Sequence, residues 1–254
     1  MADKQTRDVT DDGPIACVPS HDVIALRAIK RGAPRSQSHF FPMTTKLQHP
    51  ATFCVAGPTG CGKTQWVSRL IRNHHHAFVE PLERILWCYG QHQPAYEELS
   101  RDLPAVRFVE GLPEDWTELI DPKCRNLVVL DDLMQECGND PQITKLFTQG
   151  SHHQNLSVIY IVQNLFHQSK ESRTISLNCH YIALFKNPRD RSQIVHLAKQ
   201  MYPGQTKFMV EAYTDATSLP HSYLFIDLKP NCPEDHRLRT NIFPGEITYA
   251  YVPK

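Results

Sequence analysis

The sequence predicts an α/β fold: a mostly parallel sheet flanked by helices on both faces. Two observations carry this. First, short runs that are apolar on both faces, such as Thr52 to Ala56 (TFCVA), Asn126 to Leu130 (NLVVL) and Leu156 to Val162 (LSVIYIV), alternate with segments of helical spacing. A strand apolar on both faces is covered on both faces, and helices between such strands supply the cover. Second, the chemically loaded residues follow these runs directly, and sheets of this kind bind ligands at the carboxyl ends of their strands.

Residues 1 to 40 show no sustained periodicity. They hold an apolar stretch (Val23, Ile24, Leu26, Ile29) and a basic cluster (Arg27, Lys30, Arg31, Arg35). We read a partly ordered leader packed on the domain edge, in preference to a nuclear-import or DNA-contacting arm. Residues 41 to 254 read as one domain. After the strand at 52–56, Gly62 opens a helix with Trp66, Val67, Leu70 and Ile71 on one face. Strands follow at 84–89 and 106–109, with a helix at 95–103 between them. The strand at 126–130 precedes a helix at 141–149. The strand at 156–162 precedes another strand at 180–185. Helices at 190–202 and 207–217 lead to a last strand at 223–228.

Bulk properties narrow the function. The 254 residues carry 27 Lys plus Arg against 27 Asp plus Glu, so a nucleic-acid contact would need a local patch. No apolar run approaches the ~20 residues that span a bilayer, and Met1 to Gly13 lacks a signal-peptide core. The expectation is an intracellular protein with no membrane partner. Eight cysteines stand singly, with no CxxC, so no disulfide framework is expected. His74, His75 and His76 read as a partly solvated cluster near a helix end. Cys232 and His236 lack the second ligand pair of a zinc site.

Gly57-Pro58-Thr59-Gly60-Cys61-Gly62-Lys63-Thr64 matches GxxxxGK[ST] in full, after an apolar strand and before a helix. Glycines let backbone N–H groups turn around phosphate oxygens, and the helix N-terminus adds positive potential. Lys63 is expected on the β- and γ-phosphates of ATP, and the Thr64 hydroxyl on Mg²⁺. Asp131 ends an apolar strand in the Walker B pattern and would complete the metal shell. Asp132 follows and can accept a proton from the attacking water. Sixty-eight residues separate Lys63 from Asp131, enough for an added strand, as in ring and motor ATPases of the RecA/ASCE-like kind. Gln163 ends the next apolar strand in a sensor position, with Asn164 beside it. A ring would also need an arginine reaching a neighbour's γ-phosphate. Arg173, Arg189 and Arg191 are the candidates, with Arg173 and Arg189 preferred. Cys61, at the helix N-terminus, is expected to have a lowered thiol pKa and to be inactivated by alkylation unless ATP protects it.

GPTGCGKT, NLVVLDDL, FTQGSHHQNLSVIYIVQNLF and SLNCHYIALFKNPRD together resemble the genome-packaging ATPases of the FtsK–HerA group, over residues 45 to 230. The likeness is strongest to Polinton/Maverick and adintovirus-like members and more distant to those of poxviruses. The resemblance implies a RecA-like core, a homo-oligomeric ring, Mg²⁺-dependent ATP hydrolysis and translocation of double-stranded DNA into a capsid. Capsid or portal proteins are then partners, and the virion assembly site or host nucleus the location. Carried over by position, Lys63 and Thr64 bind nucleotide and Mg²⁺, Asp131 the metal, Asp132 is the base and Gln163 the sensor. Many relatives have glutamate where Asp132 stands. The alternatives are a superfamily 3 viral helicase, with Asn164 as its sensor, a P-loop small-molecule kinase, and a nucleotide-binding scaffold.

Overall fold

The computed structural model describes residues 23–28, 40–42, 46–116, 118–133, 143, 145–147, 155–166 and 170–253; side chains of 23–28, 40–42 and 170–173 are outside that description. In chain order the strands are β1 (Val23–Ala28), β2 (Phe40–Pro42), β3 (Thr52–Ala56), β4 (Arg84–Tyr89), β5 (Val106–Glu110), β6 (Asn126–Asp131), β7 (Leu156–Val162), β8 (Tyr181–Phe185), β9 (Tyr223–Asp227), β10 (Leu238–Thr240) and β11 (Thr248–Val252). The helices are α1 (Lys63–Arg72), α2 (His74–Ala77), α3 (Pro94–Asp102), α4 (Lys170–Leu177), α5 (Ser192–Met201) and α6 (Thr206–Ala216). The helix expected at 141–149 falls largely outside the described residues.

All described strands join one sheet in the order β2-β1-β11-β10-β9-β8-β3-β7-β6-β4-β5. From β8 to β5 every neighbour is parallel. β3, β6, β7 and β8 are buried along their length because their residues face a layer of helices on each side, whereas β5, at the edge, is largely uncovered. Cys54, Ala56, Val128, Leu130, Val158 and Tyr160 face a core completed by Ile175 of α4, Ile194 and Leu197 of α5, and Met209 of α6. The alternate residues Phe53, Val55, Leu127, Val129, Ile159 and Ile161 face α1 and α3. α1 contributes Trp66, Val67, Leu70 and Ile71, the stripe its spacing predicts. Leu70 and Ile71 are fully buried, each worth about 1.5–3 kcal/mol relative to exposure.

On the other flank only β9 was expected as a strand. β9 runs antiparallel to β8, β10 to β9 and β11 to β10. β1, from the stretch read as a leader, pairs in parallel with β11, and β2 pairs antiparallel with β1. The histidine cluster is partly solvated, as expected: His75 and His76 are exposed, while His74 is buried and its Nδ1 accepts the Leu82 N–H at 3.1 Å. Burial, with His75 alongside, pushes its pKa down to about 4, so the ring is a neutral acceptor near pH 7.

One feature of the order positions the site. β7 lies between β3 and β6, so the strand ending in Gln163 separates the glycine loop from the paired aspartates. Ala56 sits opposite Val162, and Asp131 opposite Ile161. Gly57, Asp131 and Gln163 therefore leave the same edge of the sheet side by side.

Candidate active site

The loop from Gly57 to Gly62 leaves β3 with Gly57 N–H on the Val162 carbonyl at 3.2 Å. A Cβ on Gly57 would lie 2.7 Å from both Cys61 Sγ and Phe185 Cβ, so the loop can pass here only as glycine. Gly60 (φ 78°) and Gly62 (φ 101°) adopt left-handed backbone, and Gly62 caps α1. No acidic residue occupies the first turn of α1, so nothing there competes with an anion for its positive end. Lys63 Nζ donates to the Gly57 carbonyl at 2.7 Å and to that of Pro58 at 3.1 Å, folding its ammonium back over the loop.

Asp131 lies at the end of β6, 3% exposed. Its Oδ2 accepts two hydroxyls, Thr64 Oγ1 at 3.2 Å and Tyr96 OH at 2.8 Å. Burial raises the pKa of this carboxyl. The Tyr96 and Thr64 bonds, and the charge of Lys63, hold it down. Tyr96 comes from α3 and is 2% exposed. Burial and the neighbouring carboxylates push its phenol well above the ordinary value, so it remains a donor. The sequence reading missed Tyr96, a single tyrosine in a helical pattern.

Asp132 is exposed, with φ 56°. The left-handed region is tolerated far better by Asp and Asn, whose short polar side chains bond locally, than by other residues. That is a physical reason for aspartate where the resemblance leads one to expect glutamate. Its carbonyl is crowded by β4's end: a Cβ on Gly90 would lie 2.6 Å from Asp132 O, and Gly90 N–H donates to Asp131 O at 3.0 Å.

Gln163 follows β7 directly and is exposed. Asn164 is engaged elsewhere, its Oδ1 accepting from Gln193 Nε2 at 3.1 Å. Arg189 and Arg191 stand exposed on the turn between β8 and α5, where Asn187 Oδ1 accepts the Arg189 and Asp190 N–H groups. Arg173 lies in α4, its side chain outside the described ones. The structure thus brings Lys63, Thr64, Asp131 and Asp132 together with Gln163 on the adjoining strand end, while Arg189 stands on the turn after β8, on the other side of β3 from the aspartates.

The expected lowering of the Cys61 thiol pKa is overturned. Its half-buried thiol has a raised pKa, because burial outweighs Lys63 and the helix-end N–H groups. The sulfur packs towards Gly57 instead of facing open solvent.

The residues fit Mg²⁺ with a nucleoside triphosphate. Thr64 and Asp131 offer hard oxygens, and the acid-free first turn of α1 with Lys63 beside it offers positive potential to the phosphates. Among the described residues no cluster of three or more His, Cys, Asp or Glu could hold a metal. Magnesium needs none, since water and phosphate complete its shell.

A glycine loop opening a helix, a buried acid bonded to that helix's threonine, and a strand between the two motif strands define a P-loop NTPase fold. Solved structures share it. The genome packaging NTPase B204 from Sulfolobus turreted icosahedral virus 2, in complex with ATP-gammaS, superposes with a TM-score of 0.51 at 13% identity, over 75% of this chain and 96% of that one. The cytoplasmic domain of EssC gives 0.48 at 15% identity, over 88% of this chain and 45% of that one. A viral genome-packaging NTPase therefore stands among the structural neighbours, in keeping with the sequence resemblance. No protein-family model and no curated protein matches the sequence.

Proposed function

We propose that this protein is an ATPase that translocates double-stranded DNA, packaging a viral genome into a capsid. The observation that carries the reading is the Thr64–Asp131–Tyr96 arrangement, with Asp132 exposed immediately beyond it. Buried acid and exposed acid are suited to different tasks. Asp131, fixed by two hydroxyl bonds on one oxygen, would hold Mg²⁺ with Thr64. The metal, when bound, neutralises charge on the β- and γ-phosphate oxygens. Lys63 would leave the loop carbonyls for the phosphates. Asp132, solvent-facing, would take the proton from the attacking water, and Gln163 would orient that water. The fold shared with the B204 packaging NTPase supports the motor reading over a kinase.

In this reading the subunits form a homo-oligomeric ring around DNA, on a capsid or portal, at the virion assembly site or in the host nucleus. Arg189 or Arg173 would reach a neighbour's nucleotide. The segment from Gly90 to Pro94 is one candidate pore loop. The other, at 138–141, lies outside the described residues. A neutral chain gripping a polyanion does so through few phosphate contacts per subunit summed around the ring, so binding weakens steeply with salt.

The test is ATP hydrolysis with and without double-stranded DNA, against Lys63→Ala and Asp132→Asn. DNA-stimulated turnover lost in both variants supports the motor. Turnover indifferent to DNA but dependent on Lys63 sinks the packaging reading and favours a kinase or scaffold. Strand separation of a forked duplex would favour the helicase.

A further inference from the structure

The strand end that carries Gln163 is held by a residue outside the nucleotide motifs. Gln193, on the first turn of α5, uses both ends of its amide. Its Oε1 accepts the Leu165 N–H at 3.0 Å. Its Nε2 donates to Asn164 Oδ1 at 3.1 Å and to Asp190 Oδ2 at 2.8 Å. The partners settle which way the amide lies, since the Leu165 N–H can only donate and an ionised Asp190 can only accept. We infer that Gln193 is a positioning residue for ATP hydrolysis: it holds Gln163 beside the phosphate loop by tying the strand end after β7 to the turn after β8. The inference rests on the ATPase reading above and adds to it a residue that none of the motifs contains.

The turn can act as an anchor because it is itself braced. The hydroxyl of Tyr213, buried on α6, donates to the Phe185 carbonyl at 2.9 Å and accepts the Asn187 N–H at 2.9 Å. Asn187 Oδ1 accepts the Asp190 N–H at 3.2 Å, and Asp190 Oδ1 accepts the Ser192 N–H at 3.0 Å, closing the start of α5. The Ser192 and Gln193 bonds hold the Asp190 carboxyl below its ordinary value, so it is a carboxylate near pH 7.

Gln163 is pinned from both sides. Before it, the Val162 carbonyl accepts the Gly57 N–H at 3.2 Å. After it, Asn164 and Leu165 hang on Gln193. A residue between two fixed peptides has little freedom, and yet the Gln163 side chain is exposed. A cavity of about 20 Å³ adjoins Gly57, Leu165 and Gln193, so the Gln193 amide is held by its hydrogen bonds more than by packing. An amide that orients the attacking water contributes to turnover only while it is kept at the geometry of attack. Gln193 touches neither nucleotide nor water in this reading, so its removal acts on kcat and spares ATP binding.

The experiment measures steady-state ATP hydrolysis, with Mg²⁺ and double-stranded DNA, by the full chain, by Gln193→Met, by Gln163→Ala and by the double variant. Methionine keeps the length of the side chain and lacks the amide. Gln193→Met should lower kcat about 5- to 30-fold and leave KM for ATP within about twofold. In the Gln163→Ala background the same change should cost less than about twofold, because no amide is left to position. A further variant, Gln193→Glu, keeps the acceptor for Leu165 and turns a second carboxylate towards Asp190. Its kcat, as a ratio to that of the unaltered chain, should be low at pH 8 and recover as the pH falls to 5.5, where a proton shared between the facing carboxylates restores the bridge. Should the methionine variant fail to fold, this recovery decides alone. An unchanged kcat in Gln193→Met, equal losses in both backgrounds, a loss that lies in KM, or a Gln193→Glu ratio indifferent to pH overturns the positioning role. Full turnover in Gln163→Ala also overturns it and leaves the ATPase reading standing. If the unaltered chain does not hydrolyse ATP, the ATPase reading falls, and this inference with it.

Discussion

Replacing Tyr96 by phenylalanine removes one oxygen from a buried position and leaves the ring packing in place. The hydroxyl lies 2.8 Å from Asp131 Oδ2, and both residues are almost fully buried. A hydrogen bond to a charged group contributes about 1.5–3 kcal/mol. In a chain of this size each kcal/mol moves Tm by about 2–4 °C, so Tyr96→Phe should lower Tm by about 3–12 °C near neutral pH. The pH dependence sharpens the test. Burial holds the Asp131 carboxyl above its ordinary 3.8. A group raised in this way favours the fold below its unfolded value and loses that contribution as pH rises through its folded value. The Tyr96 bond works in the opposite sense, because it stabilises the carboxylate. The penalty of Tyr96→Phe should therefore be full well above the folded pKa of Asp131 and should shrink as the pH falls through it. Thermal unfolding across pH 4 to 8 measures both quantities. Under the proposed function, the Mg²⁺ concentration giving half-maximal ATP hydrolysis should also rise in the variant. A Tm change below 1 °C at neutral pH, or a penalty independent of pH, would refute the idea that this hydroxyl braces an ionised Asp131.

Two further outcomes follow from the site. Gly90→Ala places a Cβ 2.6 Å from the Asp132 carbonyl, which cannot retreat like a side-chain tip; we expect about 1–3 kcal/mol of destabilisation in denaturant titration. ATP turnover should fall with it, and turnover equal to wild type would show that Asp132 need not hold its present position. Alkylation of Cys61 by iodoacetamide should be slow at pH 7 and still accelerating above pH 9, because burial raises its thiol, and ATP should slow it at every pH. A rate that levels off below pH 9 would contradict the buried placement.

The central parallel strands were legible because β3, β6, β7 and β8 are buried on both faces, so their hydropathy is almost unbroken; NLVVL and LSVIYIV could hardly be anything else. Beyond β9 the antiparallel flank hid for the opposite reason. β10 is three residues long and carries Arg239, whose guanidinium reaches Asp227 Oδ2 at 2.9 Å in a buried pair. A charge inside a strand silences the apolar signal, and its partner twelve positions away gives no local hint. The motif residues were legible because their chemistry demands a fixed spacing. Tyr96 was not, since its partner is 35 residues distant and only the packing of α3 on the sheet unites them. The Cys61 thiol was misjudged because a helix N-terminus can be read from spacing, whereas the burial that outweighs it comes from packing against a core assembled from distant segments.

The pairing of β1 with β11 has a bearing on the order of assembly. Ile24 lies opposite Thr248, and Leu26 opposite Ala250. A ribosome delivers β11 long after β1, and closing so long a loop is slow compared with forming neighbouring contacts. The nucleotide-binding half, whose strands lie close together in sequence, can condense first. β1 then waits with an unpaired edge until β11 emerges, and the flank beyond β8 zips up only after β9 to β11 have been made.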